Sequence, residues 1–154
     1  MPYTEATILE AHRFLTVVPF NIPHIAVRNS TIGGYNIKKG SQIWLNIWGL
    51  HHDETIWGDP ENFRPERFLD DNDRVLTAEH RFRKCLLPFG TGRRVCVGKN
   101  LANNRLFLFL CSMLQRFEFN PEDGKTVEWD SKQMRFGLAL SHKPYKMRFT
   151  PRNK

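Results

Sequence analysis

The sequence predicts a mainly α-helical fold that also contains small antiparallel β-sheets. Residues 101–117 form a stretch that is apolar nearly all round, which is typical of a helix buried inside a larger protein. Between residues 24 and 47, short alternating segments are separated by glycine turns, which is typical of short antiparallel strands. With 154 residues, 40% of them hydrophobic, the chain is long enough for one ordinary domain with a core.

The N-terminal half is predicted to contain one helix and a small sheet. The helix runs from Thr4, a plausible N-cap, to Phe14, with Ile8, Leu9 and Phe14 as core positions. Proline at positions 19 and 23 prevents its continuation. The sheet is predicted as an antiparallel meander. Its strands are His24–Ile32, Tyr35–Ile37 and Gln42–Ile47, joined by the turns Gly33-Gly34 and Lys38-Lys39-Gly40.

The second half is predicted to be dominated by one long helix. A short helix near Leu50–Thr55 leads into a polar segment that reaches Pro88 and is mostly loop, with at most a helical turn. The long helix spans Leu101–Phe117. Near the C-terminus, Gln133–Leu140 and Tyr145–Phe149 are predicted to pair as a hairpin around residues 141–144.

Charge and cysteine content exclude several classes of protein. The net charge is +7, but the basic residues are scattered without an aromatic–basic repeat, so we expect no nucleic-acid partner. No apolar run is long enough to span a bilayer, and no signal-peptide pattern is present. The three cysteines, Cys85, Cys96 and Cys111, indicate a reducing compartment and not a disulfide scaffold.

The most informative segment is Phe89-Gly90-Thr91-Gly92-Arg93-Arg94-Val95-Cys96-Val97-Gly98. A tight glycine turn can hold the Cys96 sulfur at the positive end of the following helix, where N–H groups and the helix dipole favour a thiolate. A lone thiolate cannot build a four-ligand zinc site, but it suits haem iron, which needs one axial ligand from the protein. A cysteine after a glycine loop is also compatible with an inert packing residue.

The pattern Phe-x-x-Gly-x-Arg-x-Cys-x-Gly, followed by Leu101-Ala102, resembles the signature of the haem-thiolate monooxygenases of the cytochrome P-450 superfamily. The resemblance runs from about Pro2 to Phe149 and covers only the C-terminal third of that fold. It implies that residues 1–154 are the C-terminal haem-binding part of a longer protein of the microsomal drug- and steroid-metabolising type. The membrane anchor and the central oxygen-activating helix of the family are not in this sequence.

The resemblance implies haem b as the cofactor, with Cys96 as the axial ligand of its iron. Arg94 is expected to bind one haem propionate through its guanidinium, and His24 matches a position that contacts the other propionate. An ordinary strand histidine is equally compatible with position 24. No catalytic residue beyond the haem ligand is expected here. The remaining cofactor-site residues surround the sulfur, with Phe89 shielding it and glycines permitting the turn: Phe89, Gly90, Gly92 and Gly98.

Glu10 and Arg13 are three residues apart and share a helix face. Such a pair on its own is commonly an exposed ion pair of small energy. The order of this segment, the segment Phe63–Phe68 and the cysteine loop resembles the family. The resemblance implies that Glu10, Arg13 and Arg67 form a buried charged triad that supports the haem site. A carboxylate between two guanidiniums can satisfy buried charges.

Two apolar segments, 18–22 and 136–140, resemble segments that line the substrate pocket of the family, although core packing is equally compatible with them. The predicted pocket residues are Val18, Phe20 and Leu138. The resemblance implies a lipophilic small-molecule substrate, into which one atom of dioxygen is inserted with electrons from NADPH. These electrons come through a flavoprotein reductase.

Four basic residues are predicted to ring the cysteine loop and to form a face for an acidic redox partner: Lys84, Arg93, Lys99 and Arg105. The family often has glutamate at positions 99 and 105, so the corresponding salt bridges are not expected here. The resemblance implies a location at the endoplasmic reticulum membrane on its cytosolic face, with mitochondria as the alternative. Two other functions stay open: a non-catalytic truncated fragment, and a haem-thiolate isomerase or dehydratase that needs no reductase.

Overall fold

The computed structural model describes residues 1–122, 134–135 and 137–152. Helices and two-stranded antiparallel sheets make up the described part, so the predicted fold class is confirmed. Among the described residues, no helix is long and apolar enough to cross a membrane.

Helix α1 spans Pro2–Leu15 and begins earlier than predicted. Met1 occupies the N-cap position, so Thr4 lies inside the first turn and does not cap the helix. Proline is favoured in the first helical turn because its φ is already helical and its missing N–H needs no partner there. The helix ends at Thr16, which has left-handed backbone angles (φ 35°, ψ 59°). Its buried residues recur at helical spacing: Ala6, Glu10, Arg13 and Phe14.

The small sheet region is a nested pair of hairpins and not the predicted meander. The expected strand from His24 to Ile32 is divided into β1 (His24–Ile25) and β2 (Ser30–Ile32). Strand β2 pairs with β3 (Tyr35–Ile37) across the turn Gly33-Gly34, and β1 pairs with β4 (Gln42–Ile43). Ala26 lies between β1 and β2 and stabilises this division. Its N–H donates to the Ser41 carbonyl, and its own carbonyl accepts the Gly40 N–H.

The middle of the chain contains short helices where one was predicted near residues 50–55. Helix α2 spans Ile47–His51 and helix α3 spans Glu54–Trp57. They are separate because the Asp53 side chain accepts the Thr55 N–H at 2.8 Å and starts a second helix. A 3₁₀ turn (Pro65–Phe68) and α4 (Arg81–Cys85) follow.

The cysteine loop leads into α5 (Lys99–Arg116), the longest helix. It is followed by β5 (Phe117–Pro121), so Phe117 begins a strand and does not end the helix. Strand β6 (Met147–Pro151) pairs with β5, with Phe119 opposite Phe149. The prediction that Tyr145–Phe149 pairs with Gln133–Leu140 was therefore wrong, because this part of the chain pairs with β5. Residue 133 of that prediction lies outside the described residues, and Arg135 forms only an isolated bridge with Ser141.

The core lies where α1 packs against α3 and the 3₁₀ turn. Ala6, Trp57 and Phe68 form its buried centre, and Trp57 stacks on Phe82 at 5.1 Å between ring centroids. The Trp57 Nε1–H donates to the carbonyl of Leu50 at 2.9 Å, so its polar group is satisfied in the interior. This core therefore holds α1 against the segment that precedes the cysteine loop.

Candidate functional site

The cysteine loop is closed by its own backbone. The Cys96 N–H donates to the Phe89 carbonyl at 2.9 Å, and the Gly90 N–H donates to the Leu87 carbonyl at 3.0 Å. Residues 92–94 form a 3₁₀ turn inside the loop. Cys96 is a free, exposed cysteine that lies just before the N-cap of α5 at Gly98. The loop therefore presents one sulfur at the N-terminal end of a long helix.

Two glycines are required by the path of this loop. Gly90 and Gly92 have φ values of 73° and 71°, which L-residues with side chains rarely adopt. A Cβ on Gly90 would also lie 2.9 Å from Nδ2 of Asn21, so the Asn21 side chain would have to move. The turn predicted from these glycines is therefore present.

Cys96 lines an open cavity of about 400 Å³. Its walls come from the chain after α1, the start of α2, the cysteine loop and α5. Most of the lining is apolar and includes Val17, Val18, Ile22, Ile47 and Leu106. Across residues 1–122, 134–135 and 137–152, no group of three or more His, Cys, Asp or Glu residues could hold a metal ion. The cavity therefore suits a large apolar group with a single sulfur ligand.

Glu10, Arg13 and Arg67 meet in the interior. The Arg13 guanidinium donates to both carboxylate oxygens of Glu10, from Nε to Oε2 at 2.8 Å and from Nη2 to Oε1 at 2.7 Å. Arg67 Nε donates to Glu10 Oε1 at 3.1 Å. All three side chains are buried, and planar guanidiniums suit such paired contacts. We call these three residues the charge cluster.

The remaining donors of the charge cluster bind backbone carbonyls. Arg67 donates to the carbonyls of Trp57 and Asp59 at 2.7 Å and to that of Asn62 at 3.0 Å. Arg13 donates to the carbonyls of His51 and Pro60 at 2.8 and 2.9 Å. The cluster therefore fixes the path of residues 51–62 against α1.

Sequence reasoning missed His51, which connects this cluster with the cysteine loop. Its backbone carbonyl accepts from Arg13, and its Nε2 accepts the Leu87 N–H at 2.9 Å. The side chain is completely buried. The available signal was the spacing of Ile47 and His51, which puts both on one helix face.

His12 was also missed, and it lies next to the loop. Its ring contacts Phe89 edge to face at 5.1 Å between centroids, and its Nε2 lies 3.1 Å from Asn103 Oδ1 in α5. Burial lowers the pKa of His12, and the hydrogen bond with Asn103 opposes this effect. His12 thereby links α1, the cysteine loop and α5.

A family model described as Cytochrome P450 matches residues 1–149. The chain belongs to the cytochrome P450 family. This confirms the resemblance seen in the sequence.

Curated relatives and a solved structure agree with the assignment. Cytochrome P450 2U1 of Homo sapiens is 44% identical over 153 residues, which is 99% of this chain and 27% of that protein. The steroid 17-alpha-hydroxylase/17,20 lyase of Rana dybowskii is 43% identical over 146 residues, 94% of this chain and 27% of that protein. A structure of a zebra fish cytochrome P450 with abiraterone has a TM-score of 0.84 and 38% identity, covering 100% of this chain and 34% of that one. The chain spans about a quarter of the length of the curated relatives.

Membership of the P450 family implies haem as the cofactor. The residues present fit this group, because Cys96 is a free thiol in the mostly apolar lining of an open cavity of about 400 Å³. Arg94 is exposed at the adjoining turn, and no ion pair or hydrogen bond joins its guanidinium to another side chain in the described ranges. Phe89 is half-buried beside the cavity.

The other predicted P450 site residues are not all at the cavity. His24 is half-buried in β1 opposite Ile43 and does not line the cavity. Val18 lines it, but Phe20 instead packs edge to face on Trp44 at 6.4 Å between centroids. Leu138 is almost fully exposed and is not part of the lining. Phe136, in the same predicted pocket segment, lies outside the described residues.

The four basic residues predicted to surround the cysteine loop are all exposed. Lys84 and Lys99 line a second open cavity of about 420 Å³ together with Arg83, whereas Arg93 and Arg105 do not. Lys84 is also paired with Glu79 at 2.7 Å. This second cavity therefore has a basic wall made by Arg83, Lys84 and Lys99, and the exposed Arg93 lies in the cysteine loop itself.

Proposed function

We propose that this chain is the haem-binding part of a monooxygenase that inserts one atom of dioxygen into a lipophilic substrate and reduces the other atom to water. The observation that carries the proposal is Cys96, held by the Phe89 carbonyl on the wall of an apolar cavity in a P450 chain. A haem with a cysteine thiolate ligand supplies the electron density that favours O–O cleavage.

In this proposal the Cys96 sulfur would hold the haem iron, and the neighbouring residues would bind the rest of the cofactor. Phe89 contributes an apolar side chain beside the sulfur, and its ring is held in place by the edge-to-face contact with His12. Arg94 binds a haem propionate through its guanidinium, which suits a carboxylate in a bidentate geometry. His24 stays a predicted contact of the second propionate. Val17, Val18 and Ile22 give the cavity an apolar wall that favours a lipophilic partner.

The electrons are proposed to come from NADPH through a flavoprotein reductase that docks beside the cysteine loop. Support comes from the basic wall of the second cavity, where Lys84 and Lys99 are exposed and Arg83 is half-buried, since positive charge favours encounter with an acidic partner. We further propose a longer protein at the cytosolic face of the endoplasmic reticulum membrane. The proposal of a longer protein is supported by the length of the human relative, of which this chain spans only 27%.

The experiment is a carbon monoxide difference spectrum of the ferrous, haem-loaded full-length protein. We expect the long-wavelength Soret band of thiolate ligation, and its loss in Cys96→Ser. Cys111→Ser is the matched control, because Cys111 is a half-buried cysteine of α5 that does not line the cavity with Cys96. A band at the position of histidine ligation that is unchanged in Cys96→Ser would refute the assignment. Reductase-independent rearrangement of a peroxide would indicate an isomerase or dehydratase instead.

A further inference from the structure

The hydrogen bonds around His51 define one neutral tautomer. Its Nε2 accepts the Leu87 N–H, so this nitrogen carries no proton and Nδ1 carries it. Nδ1 lies 2.9 Å from Thr16 Oγ1, whose own proton is donated to the Arg13 carbonyl at 2.5 Å. The Thr16 oxygen is therefore free to accept from Nδ1–H. All polar atoms of the imidazole are satisfied without a charge.

The surroundings of His51 maintain this neutral state. Burial lowers the pKa of His51 to about 3, and the nearby His52, Arg13 and His12 act in the same direction. A second ring proton would have no acceptor, because Nε2 faces an amide N–H. The imidazole is thus a fixed hydrogen-bond acceptor for Leu87 over the physiological pH range.

Leu87 begins the segment that closes on the cysteine. Its carbonyl accepts from Gly90 N–H, and the Phe89 carbonyl accepts from Cys96 N–H. Holding the Leu87 amide therefore fixes the first residues of the segment whose other end carries the Cys96 sulfur. On the opposite side, the His51 carbonyl is held by Arg13 of the charge cluster at 2.8 Å.

We propose that His51 is a positioning residue that couples the charge cluster to the cysteine loop, with Arg13 bound to its carbonyl and the Leu87 amide bound to its ring. This inference rests on the proposed function in one respect, namely that the loop presents Cys96 to haem. The contact with Leu87 itself can be tested without that assumption.

The test compares His51→Gln with His51→Asn in the full-length, haem-loaded protein. The glutamine amide reaches as far from Cβ as Nε2 does, so its oxygen can accept the Leu87 N–H. The asparagine amide reaches only as far as Nδ1, so it can contact Thr16 but not Leu87. The first readout is hydrogen exchange of the Leu87 amide relative to amides of α1. The second is the fraction of protein that keeps the thiolate Soret band during mild heating.

We expect Leu87 exchange to be roughly tenfold faster in the asparagine variant, which is the factor for one neutral hydrogen bond. The glutamine variant should exchange near the original rate and keep the thiolate band longer than the asparagine variant. Equal exchange in the two variants, whether slow or fast, would overturn the proposal. Failure of the proposed function gives a different result, because the thiolate band would then be absent from the unsubstituted protein while the exchange difference persisted.

Discussion

Arg64 and Arg67 both contact the carboxylate of Asp59 at 2.9 Å, yet their surroundings are opposite. The Arg64 side chain is 50% exposed, whereas the Arg67 side chain is fully buried against Glu10. An exposed pair contributes little because water screens it and two flexible side chains must be ordered. Removing one partner of a buried pair leaves an uncompensated charge in the interior.

We therefore predict that Arg67→Ala lowers the free energy of unfolding of the full-length protein by about 3–5 kcal/mol and yields protein without haem. Arg64→Ala is the matched control and should cost less than about 1 kcal/mol. Denaturant unfolding and the haem absorbance per protein check both variants. Normal haem content and stability in Arg67→Ala would mean that the charge cluster does not support the cofactor site.

His51 predicts a pH dependence of stability. Its pKa is about 3 in the folded chain and near 6.5 in the unfolded chain. The unfolded chain therefore binds a proton that the folded chain does not, so stability is retained above about pH 6.5 and falls as the pH decreases towards 3. The loss from this group is about 2 kcal/mol at pH 5.

The measurement is the unfolding temperature between pH 5 and 8 for the full-length protein and for His51→Gln, which cannot be protonated. The variant should show a shallower decline on acidification, and the curves should run parallel above pH 7. His12 and His52 remain in both proteins, so their contribution cancels in the difference. An equally steep decline in the variant would contradict the prediction.

At the scale of elements, α1 and the 3₁₀ turn Pro65–Phe68 depend on each other. Phe68 is completely buried between Ala6 and Trp57. We predict that Phe68→Ala lowers the free energy of unfolding by about 3–5 kcal/mol, because it opens a cavity in a core that cannot fully collapse. Phe63→Ala is the control, since Phe63 is 46% exposed and should cost clearly less. Chemical denaturation of the two variants checks this; equal losses would show that Phe68 is not a core residue.

The elements that depend on local signals could be predicted from sequence, and those that depend on distant partners could not. Helices α1 and α5, the turn at Gly33-Gly34 and the glycine turn of the cysteine loop follow from nearby residues. The pairing of β6 could not be predicted, because a hairpin within residues 133–149 satisfies the same alternation. The observed pairing of β6 with β5 is stabilised by the packing of Phe149 on Phe117 and Phe119, at 6.3 and 5.0 Å between ring centroids.

The same distinction holds for the site. Cys96 and its glycines form a local motif, so they could be named with their neighbours. The charge cluster was found only through its resemblance to a family, since nothing in the sequence brings Arg67 to Glu10. His51 escaped notice because its partners, Leu87 and Thr16, are 36 and 35 residues away and one of them is a backbone amide.

At the scale of the whole molecule, helix α5 leaves apolar side chains uncovered. Leu101, Leu108 and Phe109 are each more than half exposed, and α5 has no buried residue among those the structure describes. A contiguous apolar surface of this kind is costly in water and is typical of a surface that another part of a protein covers. This agrees with the observation that the chain spans only 27% of the length of human cytochrome P450 2U1.

We predict that the 154-residue chain on its own does not oxygenate substrate, even when supplied with haemin, reductase and NADPH. The cavity beside Cys96 is open, so water has access to any group bound there, and the apolar surface of α5 favours self-association. The measurements are product formation and peroxide release, and we expect peroxide without hydroxylated product. NADPH-dependent product that disappears in Cys96→Ala would refute this prediction.

The two arginines of the charge cluster bind mainly carbonyl oxygens along residues 51–62, and every residue type has a carbonyl. The cluster thus recognises the course of the backbone and is indifferent to most side chains along it. Pro60, Glu61 and Asn62 are therefore open to replacement over evolutionary time, provided that the backbone keeps its course. Arg13 and Arg67 have no such freedom, because no other side chain has a charged planar fork that can donate to a carboxylate and two or more carbonyls at once.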